Sequence, residues 1–200
     1  MTLSEFQHLR RLLLIGLVAI AFLCLLFVRS AWTGDTHETI EAAGMGLIVV
    51  GIAGRLWCTL YIGGRKAAEI VDIGPYSVCR NPLYVFSSIA ACGVGAQTGS
   101  VAVAAFFLLG CALAFQIVIR REEGFLAEAF GEAYRQYLGR VPRFWPNFRL
   151  YADSATITVT TSRVRRTLID ALPFFAAMPA FEAVEYLQGT GAIHVALRLY

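Results

Sequence analysis

Two short stretches of this 200-residue chain gather the polar groups that chemistry needs. The first runs from Gly74 to Tyr84 and offers the Tyr76 and Tyr84 phenols, Arg80 and the Asn81 amide. It surrounds Pro82, placed to open a helix at its first position, where the missing N–H costs nothing. The second is Arg120, Arg121, Glu122 and Glu123, followed by Tyr134, Tyr137 and Arg143. Adjacent carboxylates beside guanidiniums serve either as a solvated, ion-paired helix start or as a pocket for a charged group, and charge-assisted hydrogen bonds are the stronger kind. Neither a metal nor a disulfide framework is indicated. Cys24, Cys58, Cys79, Cys92 and Cys111 stand far apart with no Cys-x-x-Cys pair, and His8, His37 and His194 show no ligand spacing and read as ordinary surface residues.

What must position these clusters is a set of apolar helices. Hydrophobic residues make up 58% of the chain and charged ones 16%, mean hydropathy is +0.63, and residues 81–119 carry no charge. These values exclude a soluble globular domain, a disordered chain and a fibrous repeat. The fold class expected is all-α and integral to the membrane, with about four transmembrane helices near 12–28, 42–64, 82–95 and 101–119. As one helix, 81–119 would measure about 58 Å, twice a bilayer, so it must fold back at Gly95 to Ser100 into a helical hairpin. Arg55, inside the second span, is costly at membrane depth unless it snorkels or faces a polar cavity. Because the third helix begins on the face where the fourth ends, the hairpin brings the two polar clusters together.

Beyond Ile119 the apolar positions Phe125, Leu126, Ala129, Phe130 and Ala133 fall at helical spacing, predicting a cytoplasmic helix over 120–138 that continues the fourth span. It stops before the proline-flanked segment Val141 to Pro146. Residues 155–161 alternate like a short strand. Leu168 to Leu187 is apolar but carries Asp170, Glu182, Glu185, Pro173 and Pro179, which predicts an interfacial or bundle-docked C-terminal helix rather than a fifth span. The chain divides accordingly into a membrane core, 1–150, and a cytoplasmic extension, 151–200. Nine of the 17 cations lie between Arg120 and Arg166, while the linker at 29–41 is acidic. The positive-inside rule then gives a multi-pass protein with both termini and the active site at the cytoplasmic face. The cations are arginines except for Lys66, so the net charge of +3 is topological and nucleic acid is not an expected partner.

Gly74-Pro75-Tyr76, Arg80-Asn81-Pro82-Leu83-Tyr84, Glu122-Glu123 with Leu126, Phe130-Gly131, Tyr134 and Tyr137, and Val141-Pro142-Arg143 with Pro146 together resemble the isoprenylcysteine carboxyl methyltransferase family, with phospholipid methyltransferases sharing the pattern more loosely. The likeness covers roughly residues 44–146. It implies an enzyme that uses S-adenosyl-L-methionine without a Rossmann domain, holding the cofactor between hairpin and cytoplasmic helix. Transferred by position, Tyr76, Asn81, Pro82, Leu83 and Tyr84 would line the cofactor pocket, Ile70 and Val71 would give backbone contacts, and Glu122 would bind the cofactor's polar end.

The chain departs from the family at two positions. Asn81 stands where histidine is usual, exchanging a ring contact for an amide that hydrogen-bonds but cannot titrate. Val118 stands where the eukaryotic enzymes place an arginine associated with the substrate carboxyl, which leaves that task to Arg120 or Arg121. The implied reaction is in-line displacement at a sulfonium methyl by a hydrophobic or lipidated acceptor drawn from the membrane lipid bilayer, with no metal. An ionised carboxylate acceptor needs only proximity, alignment and a dry pocket, together worth roughly 7–11 kcal/mol. An amine or thiol acceptor would need a base, for which Glu123 or a tyrosine is the candidate. A membrane reductase related to the sterol reductases and a non-catalytic membrane scaffold remain the alternatives.

Overall fold

The computed structural model describes residues 23–65 and 68–200. In order, these form strand β1 (Val28–Ser30), helix α1 (Asp35–Ile62), the short helix α2 (Pro75–Val78), α3 (Pro82–Ala96), α4 (Val101–Arg140), a 3-10 turn (Phe148–Leu150), α5 (Thr161–Phe175), α6 (Ala177–Gly189) and strand β2 (Leu197–Leu199). The expected span at 12–28 lies mostly outside the described residues, and its last residue, Val28, belongs to β1.

Among the described residues, three stretches, Asp35–Ile62, Val101–Arg140 and Thr161–Gly189, are long and apolar enough to cross a membrane, and Pro82–Ala96 is apolar but shorter. The hairpin forms as expected. Ser100 caps α4 by accepting from the Val103 amide, and Gly99 turns the chain with φ +66°. On the far side of α4, Phe106, Leu109, Leu113 and Ile117 recur at helical spacing and stand exposed, a stripe suited to lipid. The inner face is built on small residues. An added Cβ at Gly51 would lie 2.6 Å from Ala90 Cβ, and one at Gly54 would enter the Phe86 ring, so α1 and α3 meet backbone to backbone. Arg55 is partly buried in this seam and donates to the Ser87 hydroxyl, which itself donates to the Leu83 carbonyl at 2.7 Å.

The structure departs from expectation in three further ways, two of them in residues 151–200. Residues 155–160 form no strand, and Ile157 instead packs into the cluster around Cys58, Tyr61, Val71 and Tyr76. The C-terminal helix is docked as foreseen, with Ala171 and Phe174 against Ile48 and Ile52 of α1, but together α5 and α6 run the height of the bundle. They start beside Gly64, which an added Cβ would press onto Thr160. They end at the hairpin turn, where β2 pairs in parallel with β1 and Ser100 donates to the Tyr200 carbonyl at 2.9 Å. The C-terminus and the polar clusters therefore lie at opposite ends of the bundle, since strand 197–199 pairs with β1 beside the hairpin turn. His37 is the third departure: its side chain is only 15% exposed, not an ordinary surface residue.

Candidate functional site

The hairpin sets the start of α3 beside the part of α4 that continues past Ile119. Between them opens a cleft. Its walls are Ile62 at the end of α1, Glu69, Ile70 and Val71 in the following loop, Tyr76 of α2, Arg80 and Asn81, Leu83 and Tyr84 of α3, and Glu122, Glu123, Leu126, Tyr134 and Tyr137 of α4. Gly131 has φ +55° inside α4, and the turns beyond it carry Tyr134 and Tyr137 onto Ile70, Leu126 and Phe130. From Val141 the chain then runs back along residues 78–81. The Arg80 amide donates to the Pro142 carbonyl at 2.9 Å, the Asn147 amide to the Val78 carbonyl at 2.9 Å, and the Arg80 guanidinium to the Leu138 carbonyl at 2.8 Å.

At the centre is Glu123, 8% exposed. Its carboxylate accepts from Asn81 Nδ2 at 3.3 Å and from Arg143 through both Nε, at 3.3 Å, and Nη2, while Arg80 Nε stands 3.5 Å away. Burying a carboxylate is costly unless it is paired and hydrogen-bonded, and two guanidiniums from opposite sides of the cleft meet that condition. Asn81 occupies the N-cap of α3 but makes no capping bond; its amide is turned to Glu123 and to the Arg143 carbonyl at 3.4 Å. Sequence reasoning placed Arg143 in the second cluster but did not see that Arg80 and Arg143 would close on Glu123.

Tyr76 is the second singular feature. It is 5% exposed, its carbonyl accepts from the Tyr137 hydroxyl at 2.8 Å, and its own hydroxyl is buried at the cleft without a hydrogen-bond partner among the described residues. Burial pushes its phenol far above the usual tyrosine range, so the hydroxyl is neutral and available to donate and accept. Cys79, next to the cleft, is not a nucleophile: burial raises its thiol to about 11, and its Sγ contacts the Arg143 and Phe144 carbonyls at 3.5 and 3.4 Å.

Of the residues singled out from sequence, Ile70, Val71, Tyr76, Asn81, Leu83, Tyr84, Glu122 and Glu123 converge on this cleft. Pro82 faces the other way, into an apolar cavity with Trp57, Phe86, Phe144 and Phe148. Arg120 and Arg121 are exposed and line no part of the cleft. Tyr134 and Tyr137, members of the second polar cluster, are buried in the wall.

A family model described as phospholipid methyltransferase matches residues 40–133. Among curated proteins, the cobalt-zinc-cadmium resistance protein CzcN of Cupriavidus metallidurans is 39% identical over 176 residues, covering 88% of this chain and 81% of its own. The nickel-cobalt-cadmium resistance protein NccN of Alcaligenes xylosoxydans xylosoxydans is 38% identical over 170 residues, covering 84% and 79%. No solved structure matches.

Proposed function

Because this chain belongs to the phospholipid methyltransferase family, within the group of membrane methyltransferases like the isoprenylcysteine carboxyl methyltransferases, we propose that it transfers a methyl group from S-adenosylmethionine to a hydrophobic acceptor, most simply a lipidated or lipid-like carboxylate, at the cytoplasmic membrane face. The observation that carries this reading is the Tyr76 hydroxyl, buried at the cleft with no partner among the described residues, on the same wall system as Glu122. A buried polar atom left unmatched by protein is best accounted for by a ligand.

S-adenosylmethionine supplies an electrophilic methyl on a sulfonium centre. The protein's part is to hold, orient and keep dry. Glu122 offers a carboxylate for the cofactor's cationic end, Tyr76 a neutral hydroxyl, and Ile62, Leu83 and Leu126 apolar surface. Glu123 acts as a positioning residue: its oxygens are engaged by Arg143 and Asn81, and Arg80 flanks them, so it fixes the cleft's mouth and abstracts no proton. That favours an acceptor already ionised at neutral pH, a carboxylate, over an amine or thiol that must first lose a proton. The apolar cavity on the other side of Pro82 gives a hydrophobic chain a place to lie beside the cleft. Among the described residues, arginines crowd the cleft end while Arg29 and Arg198 sit at the β1–β2 end, which supports a cytoplasmic cleft. The relatives are named for resistance to cobalt, zinc, cadmium and nickel; we take the acceptor here to be a membrane component serving a similar resistance.

The test is calorimetric binding of S-adenosylhomocysteine to the detergent-purified chain, with NADPH titrated in parallel. Micromolar binding of the former alone is expected. Glu122→Gln removes a charge-assisted contact worth about 1.5–3 kcal/mol, a weakening of tenfold or more. Unchanged affinity in this variant would overturn the pocket assignment.

A further inference from the structure

At the far end of the bundle, three side chains outside the methyl-transfer cleft converge on one point. His37 and Glu41 stand one turn apart on α1, and Glu185 reaches across from α6. We propose that His37, Glu41 and Glu185 form a binding site for one divalent transition-metal ion of the zinc, cobalt or nickel kind.

The spacing suits an ion. His37 Nε2 lies 3.2 Å from Glu41 Oε1 and 2.9 Å from Glu185 Oε1, and one ligand atom from each residue falls within 4.8 Å of the others. Ligands held by bonds of about 2.1 Å sit roughly 3.0 Å apart at an octahedral edge and roughly 3.4 Å at a tetrahedral one, so the trio needs little movement to close on a cation. A proton serves less well. One ring nitrogen faces two carboxylates and can carry one hydrogen, and neither contact meets hydrogen-bond geometry: both ring nitrogens are buried without such a bond among the described residues. Two carboxylates converging on one nitrogen also need two positive charges to balance them, which a divalent ion supplies and a protonated imidazole does not.

The ring is held in place for this task. Gly99 has φ +66°, and an added Cβ there would come within 2.0 Å of the imidazole, so the ring seats against bare backbone. An open cavity lined by His37, Glu185, Ser30 and Thr33 adjoins the trio and can deliver the water ligands that three protein groups leave open. One imidazole with two carboxylates selects first-row transition metals over calcium or magnesium, which prefer all-oxygen sets. His37 lies about 38 Å along α1 from Ile62 at the cleft, so the ion is remote from methyl transfer and instead fastens α6 to α1.

The decisive experiment uses the full chain, purified without a polyhistidine tag and stripped with chelator, titrated with zinc by calorimetry and with cobalt(II) by visible absorption. One equivalent of zinc is expected to bind, and cobalt to give ligand-field bands without the intense sulfur charge transfer that adventitious capture by cysteine would show. Glu185→Gln and His37→Gln should each weaken zinc at least tenfold, while Glu182→Gln, a neighbouring carboxylate outside the trio, should leave it within twofold. Substoichiometric zinc, sulfur-dominated cobalt spectra, or equal affinity in the Glu185→Gln and Glu182→Gln proteins would overturn the proposal. Should His37→Gln fail to fold, the wild-type cobalt spectrum and the two glutamate variants still decide it.

Discussion

Replacing Glu123 by Gln keeps shape and removes one charge from a nearly dry cluster. Arg80 and Arg143 are then left facing each other across the cleft. Their side chains are 12% and 38% exposed against 9% for the glutamate, so Arg143 regains water readily and Arg80 does not. Removing one partner of a buried ion pair costs about 3–5 kcal/mol, and the exposure of Arg143 puts this case at the lower end, about 3 kcal/mol. For chains of this size 1 kcal/mol moves Tm by about 2–4 °C, so Glu123→Gln should melt on the order of 6–12 °C lower when intrinsic tryptophan fluorescence of the detergent-solubilised protein is followed on heating. Arg143→Ala should cost less, about 1–2 kcal/mol, since Arg80 stays beside the carboxylate. The double variant should fall short of the sum, because both changes cut the same contact. A general base behaves otherwise: Glu123→Gln would melt within about 1 °C of wild type and lose methyl transfer. That outcome refutes the positioning role and returns the amine and thiol acceptors to favour.

Tyr76→Phe should act in opposite directions with and without ligand. Deleting a buried hydroxyl that has no partner relieves desolvation and raises the ligand-free Tm by about 2–4 °C, while losing a ligand hydrogen bond weakens S-adenosylhomocysteine about fivefold; a lowered ligand-free Tm would mean the hydroxyl is already satisfied within the protein. Gly51→Ala should cost about 1–3 kcal/mol, its Cβ being placed 2.6 Å from Ala90 Cβ and 2.8 Å from the Phe86 carbonyl, whereas Gly46→Ala meets nothing within 4 Å and should be neutral or stabilising; comparable losses in both, read from denaturation midpoints, would refute the close α1–α3 seam.

The hairpin was legible because its signals are local. An uncharged run of twice the membrane thickness must reverse, and glycines with small polar residues mark where. The onset of α1 was not: Asp35 and Glu38 were read as linker, yet they occupy its first turn, where acidic residues are favoured by the helix dipole. The C-terminal quarter was the least legible. The Thr-Ile-Thr-Val-Thr alternation has the right period for a strand, but a strand needs an edge to pair with, and the edge lies at β1, about 170 residues before β2 in the chain. Propensity without a partner lost to packing, and Ile157 went into the Tyr61 and Tyr76 cluster instead.

At the cleft, sequence spacing located the residues and missed their pairing. Which cations answer Glu123 depends on how the chain returns beyond α4. That return needs Gly131 at positive φ and the backbone run from Pro142 to Asn147 along residues 78–81. Once that run is laid down, Arg80 and Arg143 come from opposite sides to one carboxylate, and Asn81 gives up the ordinary work of an N-cap to join them. The same geometry explains why asparagine serves where a histidine is usual in the resembling family: a buried amide between a carboxylate and a carbonyl bonds through its N–H donors in one fixed charge state. An imidazole here would stand between the Glu123 carboxylate and the Arg80 and Arg143 guanidiniums, so Asn81→His should be tolerated in shape while loosening the Glu123 cluster, read as a lowered melting temperature.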